Sequence, residues 1–257
     1  MTAVLTDPVS YALPIGDEAM PMNDCIGKTL RIAYDGVINC INCSRKTNKS
    51  FNQGHCFPCM RKLAACDMCI LKPETCHHHE GTCREPEWGT ANCMIEHTVY
   101  LSNSSGLKVG ITRSTQVPTR WIDQGAVQAL PILTVKTRLD SGLAEIRLAE
   151  HVSDKSNWRK LITEEPEHID LRAARDTLFA EAGVGDGSEL GLPLDSDSVT
   201  ITYPVEQYLE KAKTHNLEKT PVVEGTLMGI RGQYLLFDTG ALNIRKYTGY
   251  QLDVSCS

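Results

Sequence analysis

Cys40-Ile41-Asn42-Cys43 is followed, twelve residues later, by Cys56-Phe57-Pro58-Cys59. A Cys-x2-Cys pair places two sulfurs on one turn, each about 2.3 Å from a tetrahedral zinc, and a second pair completes the shell. Cys40, Cys43, Cys56 and Cys59 are therefore predicted as the ligands of a structural zinc. A second group follows at once: Cys66-Asp67-Met68-Cys69, then Cys76, then Cys83. Cys66, Cys69, Cys76 and Cys83 make a second predicted zinc site. Cys93, His55 and the run His77-His78-His79 are alternative donors, and an iron–sulfur cluster also uses four thiolates. Four sulfurs leave no open position on the metal, so both sites read as structural, not catalytic. Residues 40–93 carry few long apolar runs and several Pro and Gly. Such a stretch cannot bury an ordinary core, and bound metal must supply its stability.

The chain has 257 residues and 11 cysteines, ten of them between Cys25 and Cys93. Its length corresponds to about two domains at roughly 150 residues each. Hydrophobic residues are 41% and charged residues 23%, which excludes a mainly disordered or collagen-like chain. The start, Met1 to Pro8, lacks a basic region followed by an apolar one, so no secretory signal is expected. No apolar run is long enough for a membrane helix. The expected location is the reducing cytoplasm, where clustered cysteines bind metal and do not form disulfides. Cys25 and Cys256 read as solitary thiols.

Working outward from the cysteines, the net charge of −6 is unevenly spread. Residues 28–62 hold seven bases against one acid, and residues 161–200 hold ten acids against two bases. Phosphate binding needs local positive potential, not a basic average. Residues 28–38 alternate around Asp35-Gly36, which predicts a β-hairpin. From His97 the pattern is ordinary α/β: strands at 98–101 and 107–112 joined by a turn, a short helix from Pro118 with Ser114 or Thr115 as cap, and a strand at 130–137. A helix capped by Ser141 then shows an apolar face of Leu143, Ile146, Ala149 and Val152. Helices within 157–182 break near Pro166, and 182–197 reads as an exposed loop. Residues 198–257 alternate and are punctuated by glycine, predicting a small barrel or curled sheet, which the 28–38 strands would complete. The expected class is α+β with four units: an N-terminal β segment (1–39), a cysteine-rich module (40–95), a central α/β domain (96–185) and a C-terminal β-domain (198–257).

The segment Thr98-Val99-Tyr100, Lys108-Val109-Gly110 and Thr119-Arg120-Trp121 resembles the GIY-YIG nuclease superfamily. In that family a hairpin carries two triplets, a helix brings an arginine, and a later helix brings a metal-binding glutamate. The resemblance covers some 55 residues, through about residue 152. It implies that Tyr100 sits near an attacking water, that Arg120 contacts the phosphate, and that Glu145, or Glu150 in its place, holds Mg²⁺ or Mn²⁺ as a hard oxygen ligand. The pattern departs from the family's at Thr98, where glycine is usual, and at Lys108, where the second tyrosine is usual. Lys108 either replaces that tyrosine as a phosphate ligand or marks a binding-only descendant. The spacing from Gly110 to Arg120 is also about two residues longer than usual. The whole chain, with its N-terminal cysteines and the run Val152 to Arg159, resembles an uncharacterised bacterial family of unknown function.

These readings predict a zinc-stabilised nucleic-acid-binding protein, RNA or DNA. Lys46, Lys49, Arg61 and Lys62 would dock the phosphate backbone and Arg113 would contact a strand; Phe51, Phe57 and Trp88 are candidates to stack on bases. Phosphodiester hydrolysis is the activity that the resemblance implies. The rival prediction is a non-catalytic protein-interaction scaffold held together by zinc. No P-loop, Rossmann glycine pattern or Gly-x-Ser-x-Gly motif is present.

Overall fold

The computed structural model of the chain describes residues 1–152, 157–185 and 187–257. Residues 153–156 of the Val152–Arg159 run, and residue 186 of the expected loop, lie outside them. From the N-terminus, β1 (Thr2–Val4), β2 (Ser10–Ile15) and β3 (Glu18–Pro21) form a small antiparallel sheet. β4 (Thr29–Asn39) leads into the cysteine segment, which contains β5 (Lys46–Thr47), α1 (Phe57–Lys62), several single 3-10 turns and α2 (Pro86–Cys93). The central unit runs β6 (His97–Asn103), β7 (Leu107–Arg113), α3 (Thr119–Asp123), β8 (Gln128–Val135), α4 (Arg138–Ala149), α5 (Trp158–Thr163), α6 (Leu171–Ala182), β9 (Leu192–Pro193) and β10 (Val199–Thr200). The chain ends with β11 (Val222–Arg231), β12 (Tyr234–Phe237), β13 (Gly240–Asn243) and β14 (Tyr250–Cys256). The class is α+β.

The central sheet has the order β10-β8-β6-β7, with β9 also on β8, so β7 is a free edge. The other large sheet has the order β13-β12-β11-β4-β14, with β5 on β4. β4 thus lies between two strands from the far end of the chain. Asp35-Gly36 is not the hairpin turn expected from its sequence. β14 pairs Leu252 with Tyr34 and Tyr250 with Ile38, so the two residues bulge out of one continuous strand. Gly36 takes φ +88°, and the Asp35 carboxylate accepts the Val37 N–H. From Leu30 to Ala33 both edges of β4 are occupied, by β11 and β14, so the chain cannot fold back at Asp35-Gly36 and does so only after Asn39, into β5.

Four other expectations change. The cap of α4 is Thr137, one turn before Ser141, in a reciprocal capping box with Asp140. The buried face of α4 is Ser141, Gly142, Ala144 and Leu148, while Leu143 and Ile146 point to solvent. Its small residues are what allow close approach: a Cβ on Gly142 would lie 2.7 Å from the carbonyl carbon of Pro73 in the cysteine segment. At the C-terminus, the expected strand at 242–247 ends at Asn243, and Ile244–Tyr247 is a 3-10 turn. The boundary drawn at 198 also moves, because Val199 and Thr200 pair with Ala129 and Gln128 of the central sheet.

β6 is buried along its whole length, and its period of two sends alternate side chains into different cores. Val99 and Leu101 pack with Ala144, Leu148, Leu171 and Leu178 beneath α4 and α6. Tyr100 points the other way, into a core shared with Trp121, Leu30, Ile230 and Phe237. Arg231 joins the units. Its guanidinium is fully buried and donates to the carbonyls of Ser104 (2.6 Å), Glu164 (2.7 Å) and Gly125 (3.0 and 3.1 Å). These contacts hold the β6–β7 turn and the end of α3 against β11.

Candidate active-site pocket and metal centre

A pocket of about 390 Å³ opens along the free edge of β7. Five cationic side chains line it (Lys108, Arg113, Arg120, Arg138 and Arg245), together with two carboxylates, Asp123 and Glu145. Lys108 and Arg113 come from β7, Arg120 and Asp123 from α3, Arg138 and Glu145 from α4, and Arg245 from the turn after β13. Asp123 is already engaged: Arg245 Nη1 lies 3.2 Å from one oxygen and Gln233 donates to the other at 2.8 Å. Glu150 is elsewhere, exposed and paired with Arg147 at 3.1 Å. Of the two glutamates on this stretch, Glu145 is the one at the pocket.

Tyr100 lies under the floor and not in the wall. It is fully buried, and its hydroxyl donates to Gln124 Oε1 at 2.9 Å. Burial pushes its pKa up to about 12, with Arg120 pulling it down and Glu145 pushing it up. The phenol is therefore neutral near pH 7. Gly110, directly opposite Tyr100 in the hairpin, makes room for it: a Cβ there would sit 2.7 Å from Tyr100 Cζ. Lys108, Tyr100, Arg120 and Glu145 thus converge. The sequence reading missed Gln124, Arg138 and Arg245. Arg245 lies more than a hundred residues further along the chain, and no local pattern marks it.

The basic residues of the cysteine segment do not line this pocket. Lys49 lies over the Phe51 ring (5.3 Å), Arg61 lies over the Phe57 ring (5.8 Å), and the two rings are 5.6 Å apart. Lys46 is on the short edge strand β5, and Lys62 ends α1. Arg245 Nε reaches back to Gln53 Oε1 at 2.7 Å, which ties the cysteine segment to the pocket.

Cys40, Cys43, Cys56 and Cys59 come together with all four sulfurs within 4.8 Å of one another. This group can hold a metal ion, and an all-thiolate tetrad is consistent with zinc. Burial opposes ionisation of Cys40, but the backbone N–H groups of Cys56, Cys43 and Asn42 bring it down to about 6. Asn42 Nδ2 donates to Cys59 Sγ at 3.4 Å. A metal-bound thiolate is oriented by such outer contacts.

In the second predicted group, burial raises the Cys66 pKa against the lowering effect of Asn52 and Arg84. Cys69 is raised to about 11 by burial, then by Asp67, Cys76 and Cys93. Asp67, Cys69 and His77 offer donor atoms within 4.8 Å of one another. Cys25 and Cys256 are not solitary: burial and then Cys256 push the pKa of Cys25 to about 12.

Among the described residues, no helix is long and apolar enough to cross a membrane. No curated protein and no solved structure matches the chain. One family model, described as a protein of unknown function (DUF2797), matches residues 27–252, from just before β4 into β14. The chain therefore belongs to the DUF2797 family of proteins of unknown function.

Proposed function

We propose that this protein binds nucleic acid through the β7-edge pocket and hydrolyses phosphodiester bonds there as a divergent GIY-YIG-like enzyme. The observation that carries the reading is the convergence of Lys108, Arg120 and Glu145 on one cationic pocket above the Tyr100 hydroxyl. A phosphodiester carries negative oxygens and gains charge during attack, so fixed cations stabilise its transition state. Arg120 offers a planar fork to the phosphate oxygens. Lys108 occupies the second tyrosine's place as a point charge. Tyr100, protonated near neutral pH, fixes the Gln124 side chain by donating to it and does not act as a base. Glu145 lines the pocket and would offer carboxylate oxygens to a hard divalent ion, since one carboxylate with water suits Mg²⁺ or Mn²⁺. Such an ion, when bound, supplies neutralisation of charge on the phosphate and activation of water. The Cys40 tetrad would hold a structural zinc. The Lys49–Phe51 and Arg61–Phe57 pairs would extend contact along the polymer through charge and stacking.

The test is a binding and cleavage screen on RNA and DNA, with and without Mg²⁺ or Mn²⁺, using protein of counted metal content. Metal-dependent products that vanish in Arg120→Ala support the reading and identify the polymer. Binding that weakens steeply with salt but yields no product leaves a non-hydrolytic reader. Neither binding nor cleavage by folded, metal-loaded protein refutes the reading and favours the protein-interaction scaffold.

A further inference from the structure

We propose that Asp67, Cys69 and His77 form a zinc site of their own, with three protein ligands and a fourth position open to water. The geometry of the three donors carries it. Among the described residues, metal-ligating atoms gather within 4.8 Å of one another in the Cys40 tetrad and in this trio. Asp67 caps the Met68–Ile70 turn, its Oδ1 accepting the Met68 N–H at 2.6 Å, and Cys69 lies inside that turn. One short piece of backbone thus presents both. His77 comes from the next bend, and its ring is fixed from behind. Thr82 Oγ1 donates to the His77 carbonyl at 3.3 Å and lies 2.7 Å from His77 Nδ1. A hydroxyl has one proton, so with that proton on the carbonyl Oγ1 accepts from Nδ1–H. These hydrogen bonds assign the tautomer. The free lone pair is then on Nε2, which faces Asp67 Oδ2 at 3.6 Å.

That gap is the second argument. It is too long for a hydrogen bond, and a nitrogen lone pair set against a carboxylate oxygen is repelled by it. A cation between the two removes the conflict. With Zn–N and Zn–O bonds of about 2.0–2.2 Å, neighbouring donors of a tetrahedral site lie about 3.4 Å apart, close to the spacing here. Cys69 is buried, whereas the His77 side chain keeps 28% of its surface exposed. Solvent therefore reaches the site from the His77 side, where the fourth ligand enters. One thiolate and one carboxylate neutralise a divalent ion. Arg84 supports the carboxylate from outside: its Nε lies 2.7 Å from Asp67 Oδ2, and its Nη1 donates to the Met60 carbonyl at 3.1 Å. A carboxylate oxygen has two lone pairs, one for Arg84 and one for the metal, and such outer contacts orient a ligand. The mixed sulfur, nitrogen and oxygen set suits zinc, and its thiolate selects against Mg²⁺ and Ca²⁺. The site also bears on the pocket. The Cys69 and Ile70 carbonyls accept from Arg138 at 3.2 and 2.6 Å, and Arg138 and Ile70 both line the pocket. An ion that fixes this turn fixes the acceptors of Arg138.

The experiment titrates zinc into the full-length protein after chelation and counts the equivalents bound, in wild type, His77→Ala, Cys69→Ala, Thr82→Ala, Cys66→Ser and Cys83→Ser. His77→Ala and Cys69→Ala should each bind one zinc fewer than wild type, with circular dichroism unchanged. Cys66→Ser and Cys83→Ser should bind as many as wild type. Thr82→Ala should keep the stoichiometry and weaken the site about 10–100-fold, as loss of an orienting partner does. In cobalt-substituted wild type, azide should shift the visible absorption by entering the open position, which the closed Cys40 tetrad lacks. His77→Ala with the wild-type stoichiometry, loss of a zinc in Cys66→Ser or Cys83→Ser, or cobalt absorption indifferent to azide would overturn the proposal. The comparison with Cys40→Ser keeps the two sites apart, since that variant should lose a different zinc. If His77→Ala does not fold, imidazole ¹⁵N shifts of wild type give the same answer. On zinc addition the His77 Nε2 signal should move and Nδ1 should keep its proton; an unmoved Nε2 would overturn the site.

Discussion

Gly142→Ala sets two physical effects against each other. Gly142 is inside α4, five residues after the Thr137 cap. In an exposed helix interior, Gly to Ala stabilises by about 0.8–1.0 kcal/mol. Here the new methyl would lie 2.7 Å from both the carbonyl carbon and the Cβ of Pro73, and closer still to the Glu74 backbone nitrogen. Carbon–carbon contacts are optimal at about 3.5–4.0 Å, so the surfaces must part by about 1 Å. The obstructing atoms are mainly backbone, which no rotamer change can clear. Overpacking of this kind costs about 1–3 kcal/mol. With backbone in the way the upper part of that range, about 2–3 kcal/mol, applies, so the steric effect wins with a net loss of about 1–2 kcal/mol. For a chain of this size that lowers Tm by about 2–8 °C. The assay is thermal unfolding followed by circular dichroism, with metal content held equal because bound metal shifts Tm. A Tm equal to or above wild type would refute the reasoning, since it would mean that α4 does not sit on the Pro73–Thr75 turn.

The remaining predictions concern the metal, the pocket and the joint between the sheets. Cys40→Ser should remove about one metal equivalent, read by elemental analysis; unchanged stoichiometry would remove the tetrad assignment. Glu145→Gln should abolish any metal-dependent cleavage while Glu150→Gln leaves it intact, and the reverse result would move the metal ligand to Glu150. Arg231→Met should cost about 3 kcal/mol or more, because several buried carbonyls lose their donor at about 1–3 kcal/mol each; a loss below about 1 kcal/mol by urea unfolding would contradict the hydrogen bonds placed here. His97 is buried, and burial lowers its pKa against the raising effect of the Ile95 carbonyl. Above about pH 6.5 it is neutral in both states and contributes nothing to pH dependence. As pH falls below that, the unfolded chain takes up a proton that the fold resists, so stability drops by up to about 1.4 kcal/mol per pH unit. His97→Leu should flatten that part of the profile, and an unchanged slope would be evidence against the shift.

Local spacing was enough to find the Cys40 tetrad, because Cys-x2-Cys geometry is set within one turn and needs only one partner pair. The class, the β6–β7 hairpin, the α5 and α6 helices and the break between them were legible for the same reason: alternation, capping and proline act over a few residues. Arg120 and Glu145 were also singled out on the sequence, and the fold brings both to one pocket. The misread elements share a cause. Asp35-Gly36 has the chemistry of a turn, yet β11 and β14 take both edges of β4 and turn it into a bulge. Leu143 and Ile146 look like a core stripe, yet α4 buries the small face that fits against Pro73.

The sequence by itself therefore determined where thiols could gather in one turn, where strands and helices form, and which residues resemble a phosphodiester site. The tertiary structure decided which distant groups share a space. It brought Arg245 to the pocket, put Tyr100 beneath the floor behind Gly110, and set Cys25 beside Cys256. None of these follows from spacing, because each depends on chain segments far apart in sequence being packed together by two cores and one buried arginine. Residues within a turn meet by backbone geometry, whereas residues of separate elements meet only where burial and hydrogen bonding hold those elements against each other.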